Sequence, residues 1–309
     1  MVLEKVYDEL IAMIEDQKKL IANMQRGEKH LQLVDLGTEF TQELKDDISS
    51  GTFEKARVGG YLTLNNHVYL FAHADYWLHS GDTECVKHHM VVVPLLSSLA
   101  SGKMNQTSTT TGGYINSDMR AGHDDTTDPD NPVHIDGAIE AIKTIIKTDF
   151  GAENILSHRE YFSNAVANGA PSGGEWIASD IDLMNELMVY GSIIFTPMNN
   201  GSSTPNLFTN DKTQLELFAR RPDLITTRGG WWLRDVVDSA RFSIIGSSGF
   251  AAYLSAASSA GIRPVFAIYD GAANRSVEPL MPETRSSDPE EPEEPEEPKK
   301  TTRKSKSTK

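Results

Sequence analysis

The chain has 309 residues, 39% of them apolar and 24% charged, with 29 Lys+Arg against 44 Asp+Glu and a net charge of -15. This is ordinary globular composition, long enough for one large domain or two small ones. The last 22 residues hold 7 acids and 6 bases, so the acidity lies in the body, which disfavours nucleic acid and anionic bilayers as partners. The single cysteine, Cys85, excludes an internal disulfide and any multi-cysteine metal centre. No apolar run approaches the roughly 18 residues of a membrane-crossing helix. Glu4, Asp8 and Glu9 stand where a secretory leader is basic and then apolar, so a cytosolic origin without general secretory export is expected.

In chain order, Leu3, Val6, Leu10, Met13, Gln17, Leu20 and Met24 alternate spacings of three and four, the seam of a coiled coil. Residues 1–30 are therefore expected to form an oligomerisation helix, most readily a trimer; a helix lying on its own body is the alternative. Thr41 and Gly51 bracket a short helix. Residues 61–71 read as a hairpin around Asn65-Asn66, and Met90 to Val93 as an apolar strand ended by Pro94. Ser101 to Gly113 reads as a Ser/Thr/Gly loop. The acidic stretch 123–136 reads as a loop before a helix from Ala138 to Thr148. A turn and helix are expected from Ser157, a glycine-rich bend at 169–174, and a short helix from Gln214 to Arg220. The end of the chain, PEEPEEPEEP followed by KKTTRKSKSTK, cannot bury enough apolar surface to fold, so residues 273–309 are expected to be a disordered tail.

Candidate chemistry is sparse. His73, Asp75, His79, Asp82, Glu84, Cys85, His88 and His89 crowd together without the spacing of a zinc site. They read as half-buried, hydrogen-bonded structural residues, with zinc as the alternative. Asp124, Asp128, Asp130 and Asn131 offer oxygen ligands of the kind calcium takes. The bidentate Glu, the glycine and the spacing of an EF-hand are missing, so residues 124–131 read as a solvated loop with calcium as the alternative. Carboxylate pairs such as Asp180 with Asp182, or Glu175 with Asp180, occur in any acidic chain. No nucleophile elbow, phosphate loop or dinucleotide fingerprint is present, so no catalytic residue, resident metal or cofactor is assigned.

The informative segment runs from Gly229 to Ile268. GGWWLRD opens it and GIRPVF closes it; Trp231, Trp232, Arg234, Asp235, Gly261 and Arg263 read as framework, the charged members as parts of a buried ionic network. From Val236 to Ala260 there is no Lys, Glu, Gln, Met or Trp, although these types make up 58 of the 309 residues. Chance absence from such a window is on the order of one in two hundred.

These motifs resemble the C-type lectin-like domain of the formylglycine-generating-enzyme branch, and more closely the phage and prophage variable proteins of diversity-generating retroelements, whose frame is WWLRD…GVRPAF. The segments 79–89, 156–169 and 182–195 are also similar to gut-phage members of that group. The resemblance spans residues 35 to 269 and is most specific over the last forty. It implies that adenines are randomised, turning AAC and AAT codons into codons that end in a pyrimidine and cannot encode the five missing types.

The expected fold is therefore α+β. A C-type lectin-like domain over 31–272, with a small twisted antiparallel sheet and flanking helices, carries a variable region at 236–260. The expected function is a virion receptor-binding protein, on tail or head, that displays a hypervariable surface for host attachment. Its ligand, a host-surface protein or glycan, would be met by Asp238, Ser239, Arg241, Ser243, Ile244, Gly246, Ser247, Ser248, Phe250, Ala252, Tyr253 and Ser255, while Phe242 belongs to the core. The alternative is a structural or decoration protein that binds only other phage subunits. An enzyme of the formylglycine-generating kind is disfavoured, because that chemistry uses a cysteine pair.

Overall fold

The computed structural model describes residues 31–273 and 277, apart from 97–98, 129, 131, 164–165, 168–169, 172–173 and 197–213. The coiled-coil seam at Leu3 to Met24 and nearly all of the expected tail lie outside these residues. The fold is mixed α+β, mostly strands in small sheets with few helices.

The strands are β1 (Val34–Asp35), β2 (Gly60–Leu64), β3 (His67–Ala74), β4 (Met90–Pro94), β5 (Ala100–Lys103), β6 (His123–Asp125), β7 (Val133–Ile135), β8 (His158–Ser163), β9 (Val166–Ala167), β10 (Ala170–Pro171), β11 (Gly174–Ser179), β12 (Ile181–Leu183), β13 (Trp231–Val236), β14 (Arg241–Ile245), β15 (Ala251–Ser255), β16 (Ser259–Ile262) and β17 (Pro264–Ile268). A six-stranded sheet has the order β1-β2-β3-β4-β17-β12, and a five-stranded sheet the order β15-β14-β13-β16-β5. Three two-stranded ribbons pair β6 with β7, β8 with β11 and β9 with β10.

The hairpin β2–β3 turns on Asn65 and Asn66, both at positive φ (45° and 67°), the conformation of the two-residue turn whose twist matches the strands. Asp149, one residue before the end of the helix Ala138–Phe150, holds this hairpin: its carboxylate accepts from Tyr69 Oη at 2.6 Å and Asn65 Nδ2 at 2.7 Å. The helix Gln42–Ser49 starts at Thr41, whose hydroxyl accepts the Leu44 N–H at 3.4 Å.

Strand β4, Met90-Val-Val-Val-Pro94, is buried throughout because the large sheet is covered on both faces. Met90 and Val92 enter one core with Ile142, Ile146, Phe150 and Phe266, while Val91 and Val93 enter a second with Trp77, Phe218 and Trp231.

Three expected elements are corrected. The acidic stretch 123–136 is not all loop, because His123–Asp125 pairs with Val133–Ile135. Residues from Ser157 onward do not form a helix: His158–Ser163 is a strand paired along its length with Gly174–Ser179. Alternation explains it, since His158, Glu160 and Phe162 are buried while Arg159 reaches Asp82. The stretch 101–113 is not all loop, because it begins within β5, whose register puts Ser101 opposite Gly261.

Phe266 sits where Tyr69 and Phe150 converge, with ring centroids 6.0 and 5.5 Å away. Phe266→Ala should lower unfolding free energy by about 3–5 kcal/mol in urea denaturation, the cost of a large buried cavity.

Candidate functional site

Strand β13 builds the floor of the site. Its alternation sends Trp231 and Leu233 into one core and Trp232 and Val236 into the other. Trp232 Nε1 donates to the Gly102 carbonyl at 2.8 Å, which ties β13 to β5 across the intervening strand β16.

Arg234 and Arg263 are buried and Asp235 is half-buried, and the three do not form one network. Arg234 is ion-paired with Glu160, donates to the Leu183 carbonyl at 3.5 Å and lies 4.2 Å over the Phe162 ring. Burial would raise the Glu160 carboxyl, but the Arg234 charge and hydrogen bonds from His158 and Arg234 outweigh it and hold it at about 2. Asp235 accepts the Glu186 N–H at 2.7 Å; burial, and then the neighbouring Glu186 charge, push its carboxyl up to about 7. Arg263 departs from expectation. Among the described residues it meets no carboxylate, donating instead to the carbonyls of Pro94 (2.8 Å) and Leu224 (2.9 Å). It stands 5.3 and 5.2 Å from the rings of Phe218 and Trp231, and burial pushes it down to about 9.

The interval after β13 is the hairpin β14–β15. Its register pairs Arg241 with Ser255, Ser243 with Tyr253 and Ile245 with Ala251, so these six side chains share one face; Phe242, Ile244, Ala252 and Leu254 share the other. Phe242 is core, as expected, and Ile244 and Leu254 pack against the same cluster. Of the twelve expected surface residues, Ser239, Ser247, Ser248, Phe250 and Tyr253 are exposed and Asp238, Arg241, Ile244, Ala252 and Ser255 are half-buried. Two are corrected: Ser243 and Gly246 are buried. Ser243 is 1% exposed because its hydroxyl donates to Glu186, and Gly246 is covered by the Phe250 ring. Ile244 and Ala252 are corrected in direction, since they face away from Arg241 and Tyr253.

The exposed part has its own order. Asp238 pairs with Arg241, whose hydrogen bond lowers the Asp238 carboxyl; the Arg241 guanidinium lies 4.1 Å over the Tyr253 ring, and Phe195 meets that ring edge-on at 5.2 Å. At the other end, the turn 246–250 closes with Gly246 N–H to Phe250 O at 2.8 Å and needs Gly249 at φ +80°, a conformation that favours glycine.

Sequence reasoning missed two fixed loops beside this hairpin. Glu186, 1% exposed, accepts N–H bonds from Ile194 (2.6 Å), Phe195 (3.1 Å) and Thr196 (3.4 Å), which sets Phe195 against Tyr253. The available signal was an acid, Glu186, leading directly into the apolar run Met188 to Phe195. On the other side, Thr110 donates from N and Oγ1 to the carbonyls of Ser239 (3.1 Å) and Asp238 (2.6 Å), and Ser108 Oγ lies 2.7 Å from Ser255 Oγ.

The histidine-rich stretch is hydrogen-bonded: His79 to Glu84 (2.7 Å), His88 to Asp75 (2.6 Å), His89 accepting the Trp77 N–H (3.0 Å) and His73 the Glu216 N–H (3.1 Å). Asp124 pairs with His134 across β6–β7 and Asp125 with Thr127, while Asn131 lies outside the described residues. Among the described residues no group of three or more His, Cys, Asp or Glu is placed to hold a metal ion. Asp180 is bound by Lys147 and Lys143, and Asp182 by Arg120, Tyr114 and Ser179. No helix among the described residues is long and apolar enough to cross a membrane.

No family model matches the chain, and neither a curated protein nor a solved structure matches it.

Glu160→Gln leaves the Arg234 charge buried without its partner and should cost about 3–5 kcal/mol in urea denaturation at neutral pH. The wild-type contribution of Glu160 is full above its ordinary value of 4.5 and is lost as pH falls toward about 2. Asp235 has the opposite sign. Its carboxyl is raised from 3.8 to about 7, so its contribution is full below 3.8 and is lost as pH rises through about 7. Asp235→Asn should therefore flatten the stability profile measured between those two values.

Proposed function

We propose that this chain is a bacteriophage virion protein, on tail or head, of the variable-protein group of diversity-generating retroelements, and that it attaches the particle to its host. On this reading the body takes a C-type lectin-like fold. The supporting observation is the division of labour along residues 231–263. Trp231, Trp232, Arg234 and Arg263 are buried in the scaffold, while the interval between them, free of five residue types, carries the exposed Ser239, Ser247, Ser248, Phe250 and Tyr253. A rigid frame that holds a changeable surface separates stability from recognition. The ligand is a host-surface molecule. Each site is weak, since its exposed members are mostly serines with two aromatic anchors, and a trimer in many virion copies supplies avidity.

Variation across a phage population should concentrate at Asp238 to Ser259 and spare Trp231, Trp232, Arg234, Gly261 and Arg263. Sequencing this locus across isolates checks it, and differences spread evenly over the body would remove the reading. A second expectation concerns energy. Replacing Arg241, Phe250 and Tyr253 together by Ala should abolish adsorption of particles to host cells while the melting temperature barely moves, since exposed truncations usually shift stability by no more than about 0.5 kcal/mol. Trp232→Ala should instead melt early, at a cost of about 3–5 kcal/mol. Wild-type adsorption by the triple variant would favour a structural protein that contacts only other phage subunits.

A further inference from the structure

Strand β15 is an outer strand of the five-stranded sheet. The bonds Gly246 N–H to Phe250 O and Ala256 N–H to Ala240 O, at 2.8 and 2.9 Å, bracket the hairpin. Narrow and wide pairs alternate between them, so Ala252 and Leu254 turn their main-chain groups toward Ile244 and Phe242. The N–H and C=O of Ala251 and Tyr253 point the other way, off the sheet, and among the described residues no hydrogen bond reaches them. Among the described residues this unpaired edge ends at Ser255, whose carbonyl accepts the Ser258 N–H at 2.9 Å.

Proteins blunt such edges with short length, lysine, proline or burial. The other outer strands of the two large sheets follow that rule: β1 has two residues, β12 has three and is buried, and β5 has four and ends in Lys103. β15 has five residues, Ala-Ala-Tyr-Leu-Ser, with no charge and no proline, and Tyr253 is 44% exposed.

We propose that the edge of β15 accepts an extended, neutral-to-basic polypeptide segment of a partner protein as an added strand. This deepens the attachment reading above and rests on it. Main-chain donors and acceptors stay the same when side chains change, so an edge inside a variable interval gives a constant source of affinity while the side chains set specificity. An added strand would place alternate residues beside Tyr253 and Ser255, with Phe195 next to them, and the residues between beside Ala252 and Leu254. The local ion pair of Asp238 and Arg241 is self-neutralising, and a chain of net charge -15 repels an acidic strand.

The test uses the full chain and an acetylated, amidated peptide of sequence Lys-Thr-Val-Thr-Val-Thr-Val-Thr-Lys, with amide exchange read residue by residue. At a peptide concentration ten times its dissociation constant, the Ala251 and Tyr253 amides should exchange about tenfold more slowly. The same peptide N-methylated at alternate residues should have no effect on either amide. Ala251→Pro and Tyr253→Pro, which remove outward N–H groups, should lose the peptide yet keep the fold, whereas Ala252→Pro breaks a bond to Ile244 and should melt early. Unchanged exchange at Ala251 and Tyr253 overturns the proposal, as does equal protection by the N-methylated peptide. Protection that grows with protein concentration and needs no peptide also overturns it, because a second copy is then the occupant. Both peptide arms use the wild-type chain and stand even if a proline variant fails to fold. Population variation confined to 238–259 alongside a failed peptide test would retire the edge and keep the attachment reading.

Discussion

Strand β13 has to satisfy two cores at once. Trp231 and Leu233 belong to the cluster that includes Trp77, Met188 and Phe218; Trp232 and Val236 belong to the cluster that includes Phe71, Ile142 and Phe266. A slip of one residue would exchange the two sets and put each tryptophan in the wrong core, so the register is strongly specified. Everything around the candidate site hangs on that register. β14 pairs with one edge of β13 and β16 runs parallel to the other, with Trp231 opposite Gly261. The hairpin β14–β15 is thus carried outward from a strand that cannot shift, and its outer half reaches solvent at Tyr253.

The buried charges serve this arrangement in different ways. Arg234 and Glu160 neutralise each other between β13 and β8, so the β8–β11 ribbon is held to the floor strand by an ion pair whose loss leaves a bare charge. Arg263 gives its donors to backbone carbonyls at the end of β4 and in the segment before β13, and aromatic rings cover the guanidinium. It acts as a clamp on two chain segments, with geometry that a lysine would not reproduce. Asp235 and Glu186 form the third case. Two carboxyls share one buried region, one of them raised to about 7, and the other gathers the 194–196 backbone under the exposed hairpin.

Local signals were the legible ones. Thr41 caps its helix, Asn65-Asn66 turns its hairpin, and the unbroken apolar run at Met90 is a strand buried on both faces, each for a reason that lies within a few residues. The double tryptophan read as framework, and its placement follows from alternation, since adjacent large side chains on one strand need two cores. The strand at His158–Ser163 was illegible because two of its three buried members, His158 and Glu160, are polar residues that alternation alone does not flag as interior. Glu160 is inside because Arg234, far along the chain, supplies the counter-charge, and His158 because it stacks on Trp77. Ser243 was misplaced for the same reason. Nothing near it in sequence reveals that Glu186 lies across its hydroxyl.

The hairpin's freedom to change is uneven, and the unevenness follows from its two faces. Phe242, Ile244 and Leu254 are packed on a core, so polar or oversized replacements there carry the cost of buried mismatches. Ser243 has to offer a donor to a buried carboxylate or leave it short of a hydrogen bond. Gly249 is confined by its positive φ and by Thr226, whose hydroxyl would lie 2.7 Å from an added Cβ. Asp238, Ser239, Ser247, Ser248, Phe250 and Tyr253 carry no such constraint beyond the mutual contacts of Arg241, Asp238 and Tyr253. On the attachment reading proposed above, such a surface would divide its tasks by position: side chains that change would set what is recognised, and the edge backbone beneath them would keep the same hydrogen-bonding groups through every change.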